Sequence, residues 1–223
     1  MRCRIFITCF LLLLVQRSVF SQNSDLGIWY EINGEYSLNK KIDLTATGML
    51  RTFSNGTKLE QAFLEFGTSY SFNKYLSVAA AYRLTNFLEN NYEYHIRHKW
   101  FADIKGSYSI NKFAFSTRFR FEIQKRTYFE KESDKLPEYD GRIKFKVMYK
   151  IPKFPVNPYI SVESFSPMFE NSDVLIAKAR YATGLEFKIN KKNYIESDYI
   201  FQRVYSPHVS IMHIISLSYT FKF

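Results

Sequence analysis

The stretch SINKFAFSTRFRFEIQ, Ser109 to Gln124, alternates with a period of two. Phe113, Phe115, Thr117, Phe119, Phe121 and Ile123 occupy one set of positions, and Ala114, Ser116, Arg118, Arg120, Glu122 and Gln124 the other. Successive side chains of a β-strand leave opposite faces, so this segment presents phenylalanine to one solvent and arginine and glutamate to another. The same alternation recurs along the chain. Ile42, Leu44, Ala46, Gly48 and Leu50 oppose Asp43, Thr45, Thr47, Met49 and Arg51; Ile143, Phe145, Val147 and Tyr149 oppose Arg142, Lys144, Lys146 and Met148. Leu76 to Thr85 and Lys178 to Ile189 repeat it. High counts of Tyr (17) and Phe (22) beside only 8 Gly fit an all-β chain.

A soluble sandwich or lipocalin-like barrel would also alternate, because its apolar face is the shared interior. Strand length separates the cases. Soluble strands usually run about five or six residues, whereas a tilted strand crossing a bilayer needs about 9–11, and these runs last about ten to twelve. The connections are also of two kinds. SLNKK, SFNKY, SINKF and KINKK place Asn39, Asn73, Asn111 and Asn190 in short turns, and IPKFPVNP makes a fifth. Longer charged segments, Ser54–Glu60, Phe87–Ile96 and Lys125–Gly141, join the other ends. Short turns on the periplasmic side and long loops outside are the asymmetry of an outer-membrane barrel. The expected fold is therefore an antiparallel transmembrane β-barrel of ten to twelve strands in the cell outer membrane. Eleven runs are readable, from Gly27–Leu38 to Ile211–Phe223. Bacterial single-chain barrels normally have an even number, and Asn33-Gly34 carries a hairpin signal that could split the first run.

The chain begins with a basic MRCR, an apolar run of about eleven residues and small residues around Val19-Phe20-Ser21. This reads as a signal peptide over residues 1–21, with one barrel domain over 22–223. The run is too short for a spanning helix, and Cys3 and Cys9 precede or lie within it, which argues against lipoprotein processing. Removing it takes away both cysteines, hence any disulfide or thiolate metal site. It also takes Arg2, Arg4 and Arg17 and no acid, lowering the net charge from +10 to +7. An exported chain of that modest excess is not expected to meet nucleic acid.

The last residues, ISLSYTFKF, put Ile215, Leu217, Tyr219, Phe221 and Phe223 on one face and end on phenylalanine. This is similar to the terminal signature of bacterial outer-membrane barrels, and Phe223 is expected to be read by the barrel assembly machinery. Four blocks, Ala81-Tyr82-Arg83, Thr117 to Glu122, Pro158 to Phe165 and Arg180 to Glu186, resemble the domain-of-unknown-function 2490 family of outer-membrane barrels in Gram-negative bacteria. The resemblance implies fold and location. It implies no activity and no catalytic residues.

If the apolar face meets outer-membrane lipid, the polar face lines a lumen. Its charged residues include Arg51, Glu65, Arg83, Asp103, Arg118, Arg120, Glu122, Arg142, Lys144, Lys146, Glu163, Arg180 and Glu186, with cations in surplus. Two readings stay open: a narrow channel for small polar or anionic solutes, or a closed structural or interaction barrel whose charges pair across the lumen. A membrane-embedded hydrolase is a minor third. His208 and His213 lie near Ser206 and Ser216, but no nucleophile motif surrounds them, so no catalytic residue is assigned and no enzyme is expected. His95 and His98, three apart, fall on opposite strand faces, and neither a metal nor a cofactor is expected.

Overall fold

A computed structural model describes residues 24–169 and 174–223 of the chain; the signal-peptide reading of residues 1–21 lies outside them. Eleven strands close into one barrel: β1 (Ser24–Ser37), β2 (Ile42–Phe53), β3 (Lys58–Ser71), β4 (Leu76–Leu88), β5 (Tyr94–Ile110), β6 (Phe113–Arg126), β7 (Glu138–Tyr149), β8 (Val156–Pro167), β9 (Lys178–Lys188), β10 (Asn193–Val204) and β11 (Ser210–Lys222). Neighbours in sequence pair antiparallel, and β1 closes on β11 in parallel, from Ser24 opposite Ile211 to Glu35 opposite Lys222. The strands lie where the alternating runs lie, at lengths that span a bilayer.

The odd count among the described residues corrects the expectation that Asn33-Gly34 might turn. Both residues lie inside β1, opposite Thr47 and Ala46 on one side and Thr220 and Phe221 on the other. Asn33 is occupied by the interior: Thr47 Oγ1 donates to its Oδ1 at 2.6 Å, and its Nδ2 donates to Glu31 at 2.7 Å and Ser218 at 3.2 Å. Gly34 faces outward beneath the terminal ring, where an added Cβ would stand 3.7 Å from Phe223 Cε2. With eleven strands, Ser24 sits at the loop end of the barrel and Phe223 at the turn end.

The repeated Asn-Lys turns work mainly through the asparagine side chain. Asn39 Oδ1 accepts from the backbone N–H of Lys41 and Ile42 at 2.8 and 2.9 Å, and Asn73 does the same for Tyr75 and Leu76. Asn190 repeats it with Lys192 and Asn193. These are side-chain mimics of a backbone turn. Of the four, only Asn111 takes a left-handed backbone, at φ 51°. The other connections are shorter than expected, since the strands continue into them. β6 runs to Arg126 and β7 starts at Glu138, so the longest loop in that region spans 127–137 rather than Lys125–Gly141. Likewise β3 starts at Lys58, and the β4–β5 connection is reduced to Glu89–Glu93. Loop 127–137 holds a single 3₁₀ turn, Glu132–Lys135. There Asp134 accepts from the backbone N–H of Lys131 and Glu130 at 3.0 Å each, which holds its carboxyl below the usual range.

The outer surface is apolar and exposed. Ile32, Leu64, Phe66, Ile104, Phe119, Phe145, Ile160, Leu185 and Ile215 all project from it, Ile32 at 66% and Ile160 at 63% exposure. A soluble protein rarely exposes contiguous apolar patches beyond a few hundred Å². The interior instead holds buried Arg83, Asp103, Arg120, Glu122 and Glu163. Hydrophobic outside and ionic inside is the inverse of a lipocalin, and it is the arrangement that a bilayer stabilises. Along the outward face His98 Nδ1 lies 2.6 Å from the Tyr82 hydroxyl and His213 Nδ1 lies 2.7 Å from that of Tyr199, each beside a further aromatic ring.

Candidate lumen site

The interior charges form pairs between strands. Arg120 on β6 grips Asp103 on β5 with two nitrogens, Nε to Oδ1 at 2.6 Å and Nη2 to Oδ2 at 2.8 Å. Arg83 on β4 donates Nε to Glu65 on β3 at 2.8 Å, with Nη2 at 2.5 Å. Arg118 on β6 reaches across β7 to Glu163 on β8 at 2.7 Å. Glu122, fully buried, is held from both sides: Lys99 Nζ donates to Oε1 at 2.9 Å and Arg142 pairs with Oε2. Lys146 approaches Glu196 at 3.3 Å. Fork-shaped guanidinium contacts of this kind are among the stronger polar interactions available to a chain.

Interior aromatic rings stand between most of the arginines. Arg120 lies over Phe101 at 4.3 Å and Arg83 over Phe101 at 4.8 Å and Phe63 at 3.8 Å. Arg51 lies over Phe63 at 5.2 Å and over Trp29 at 4.1 Å. Arg180 follows, over Trp29 at 4.8 Å and Phe165 at 4.7 Å, and Arg142 faces Phe165 at 4.6 Å. One residue from each strand, β1 through β9, thus makes a collar in which guanidinium and ring alternate, except where Arg120 and Arg142 stand opposite each other on β6 and β7. Each contact is a cation–π arrangement in which the ring face stabilises the charge. Ile200 and Ile214 complete the circuit on β10 and β11, packed with Trp29, Met49 and Phe63 in a buried apolar cluster.

The collar borders an interior cavity of about 250 Å³. Arg51, Arg83, Arg118, Arg120, Arg142, Lys144 and Arg180 line it, against Glu31, Glu163, Glu196 and Asp198. Tyr159 spans its other side: its hydroxyl donates to Glu196 at 2.9 Å and meets Asp198, and Lys146 stands 3.6 Å over its ring. Tyr159 can lie there because β9 has Gly184 beneath it. A Cβ at that position would come within 2.7 Å of Tyr159 Cζ and overlap the Asp198 carboxylate.

Of the residues expected in the lumen, Arg51, Arg83, Arg118, Arg120, Arg142, Lys144, Glu163 and Arg180 meet at this cavity. Glu65, Asp103 and Glu122 stand behind them as partners of cavity-lining arginines. Glu186 is apart from them, accepting from Asn157 Nδ2 at 3.1 Å nearer the turn end. Sequence reading passed over Trp29, Phe63, Phe101, Tyr159 and Phe165. Parity could have found them, since Phe101 shares its face with Lys99 and Asp103, and Phe165 with Glu163. It also passed over Glu89, which pairs with Arg97 through two nitrogens from beyond the end of β4. Among the described residues there is no cluster of three or more His, Cys, Asp or Glu that could hold a metal ion.

The model of the family described as Protein of unknown function (DUF2490) matches residues 26–212. No curated protein matches the chain. Several solved chains share its fold. The beta domain of the Bordetella autotransporter BrkA superposes with a TM-score of 0.54 at 9% identity, covering 85% of this chain and 86% of that one. The NanC porin superposes with a TM-score of 0.51 at 14% identity, covering 86% of this chain and 99% of the porin. At such identities the likeness is one of fold alone.

Proposed function

The chain belongs to the family described as Protein of unknown function (DUF2490), and on that footing we propose that it is a narrow outer-membrane channel whose basic lumen passes small anionic solutes. The observation that carries this reading is the surplus of cation around the interior cavity. Arg83, Arg118, Arg120 and Arg142 each have a carboxylate, whereas no carboxylate of the described residues lies within ion-pairing distance of Arg51, Arg180 or Lys144. Arg180 and Lys144 flank Glu163 from the neighbouring strands, so with Arg118 three cations share one carboxylate, and such an excess of positive charge along a narrow path lowers the barrier for anions and raises it for cations. In this reading residues 1–21 are an export signal and the long loops face outward from the cell. Outer-membrane lipid surrounds the barrel, and Phe223 is the residue read at assembly. No cofactor or nucleic acid takes part. Catalysis is not part of this reading; His213 turns outward to Tyr199 and Ser216 is buried on the inward face.

One observation favours a second reading, a closed scaffold. Glu122 is wholly enclosed, and the cluster of Trp29, Met49, Phe63, Ile200 and Ile214 fills part of the interior. Chloride entry into proteoliposomes loaded with a halide-quenched dye separates the two. The channel predicts quenching that depends on the refolded protein and is slowed by Arg180→Glu. Quenching no faster than in empty liposomes would leave the closed scaffold.

A further inference from the structure

Within the collar, the segment Arg51–Trp29–Arg180 differs from the rest. Its two guanidinium groups face the same indole ring, at 4.1 and 4.8 Å from the ring centre. Arg51 directs Nε to Met49 Sδ at 3.2 Å and Arg180 directs Nε to Gln202 at 2.8 Å, both neutral acceptors. The cavity's own acids are shared or engaged with other groups: Glu31 accepts from Asn33, Glu163 accepts from Arg118 while standing opposite Arg180, Glu196 accepts from Tyr159 and pairs with Lys146, and Asp198 lies against the same Tyr159 hydroxyl. Two like charges that face one ring, in an interior of lowered dielectric, repel each other, and an anion bound beside them relieves the repulsion. A second observation points the same way. The indole Nε1–H of Trp29, in a residue only 4% exposed, has no acceptor among the described residues, and neither have the Nε–H groups of Arg118 and Arg142. Buried donors without partners are uncommon in folded chains. All three belong to residues that line the cavity.

We infer that this cavity is a binding site for a small organic anion, its oxyanion group held by Arg51, Arg180 and the Trp29 indole N–H. Guanidinium forks suit the planar, two-oxygen edge of a carboxylate and the oxygens of a phosphate ester alike. Size sets the rest of the ligand. A cavity of about 150 Å³ holds benzene, so about 250 Å³ takes a solute of roughly ten non-hydrogen atoms. Lys144, also on the lining, supplies a charge for a second anionic group. This deepens the channel reading and rests on it for its biological use. The site is where a passing anion would pause.

Calorimetry on the refolded protein in detergent, with malate, glycerol 3-phosphate and neutral erythritol as probes, tests the site without reference to conduction. Saturable binding of one or both anions, with none for erythritol, is expected; which anion binds more tightly tells carboxylate from phosphate ester. Arg180→Gln and Arg51→Gln should each weaken binding by roughly tenfold or more, the effect of losing a charge-assisted hydrogen bond. Arg203→Gln, over Tyr205 near the loop end, should leave it unchanged. Binding of neither anion, or equal binding by the variants that retain the heat-modifiable barrel, overturns the inference. If chloride passes and neither anion binds, the site falls and the channel stands; if an anion binds and chloride does not pass, the reverse holds.

Discussion

Phe119→Arg is expected to prevent assembly of the barrel. Phe119 is 48% exposed on the outward face, between Ile104 on β5 and Ile143 on β7, within the apolar belt. A charge placed there at the bilayer midplane costs about 2–4 kcal/mol, and arginine cannot turn inward without reversing the register of β6. The neighbouring change Arg120→Gln touches the interior alone. It frees Asp103, which keeps a distant partner in Lys105 at 3.9 Å, so the barrel should insert with reduced stability. Heat-modifiable mobility after refolding into liposomes separates the two variants. Normal insertion of Phe119→Arg with failure of Arg120→Gln would mean that the two faces have been exchanged.

Glu122→Gln is expected to be the most damaging conservative change in the interior. The glutamine keeps the shape but takes from Lys99 and Arg142 their shared ion-pair partner, a side chain with no exposure to solvent, and leaves Asp140, opposite on β7, as the nearest acid. Removing one member of a buried ion pair typically costs about 3–5 kcal/mol. The double variant Glu122→Gln/Lys99→Met should recover part of the loss, because it removes one of the stranded charges. Urea titration of the barrel in liposomes measures both. A single variant as stable as the parent would show that the interior is wet enough to solvate these groups, and the paired network would then hold nothing together.

The period-two alternation was enough to place every strand and to choose which face meets lipid, because in a barrel each side chain has only two directions available. Phe119 and Arg120 were assigned to opposite faces on that ground alone, and their exposures differ accordingly, 48% against 9%. Strand parity was harder. Asn33-Gly34 has the composition of a tight turn, yet Asn33 satisfies its amide across the seam with Ser218, a residue 185 positions away that no local pattern reveals. The site was half legible for a related reason. Alternation shows that Arg51 and Arg180 face inward, but which arginine finds a carboxylate depends on the stagger between strands. Arg118 meets Glu163 across β7, and among the described residues Arg51 meets rings and a thioether. The interior aromatics share the parity of the charges, and they were hidden because phenylalanine on a strand is so readily assigned to lipid.

Anion passage requires a lumen that is open and basic, and the reversal potential of the refolded protein in a planar bilayer under a potassium chloride gradient reads both properties at once. A steady current whose reversal potential lies toward the chloride equilibrium value, and moves toward zero in Arg51→Gln/Arg180→Gln, is the predicted result. A sealed membrane, or a reversal potential on the potassium side, would contradict it.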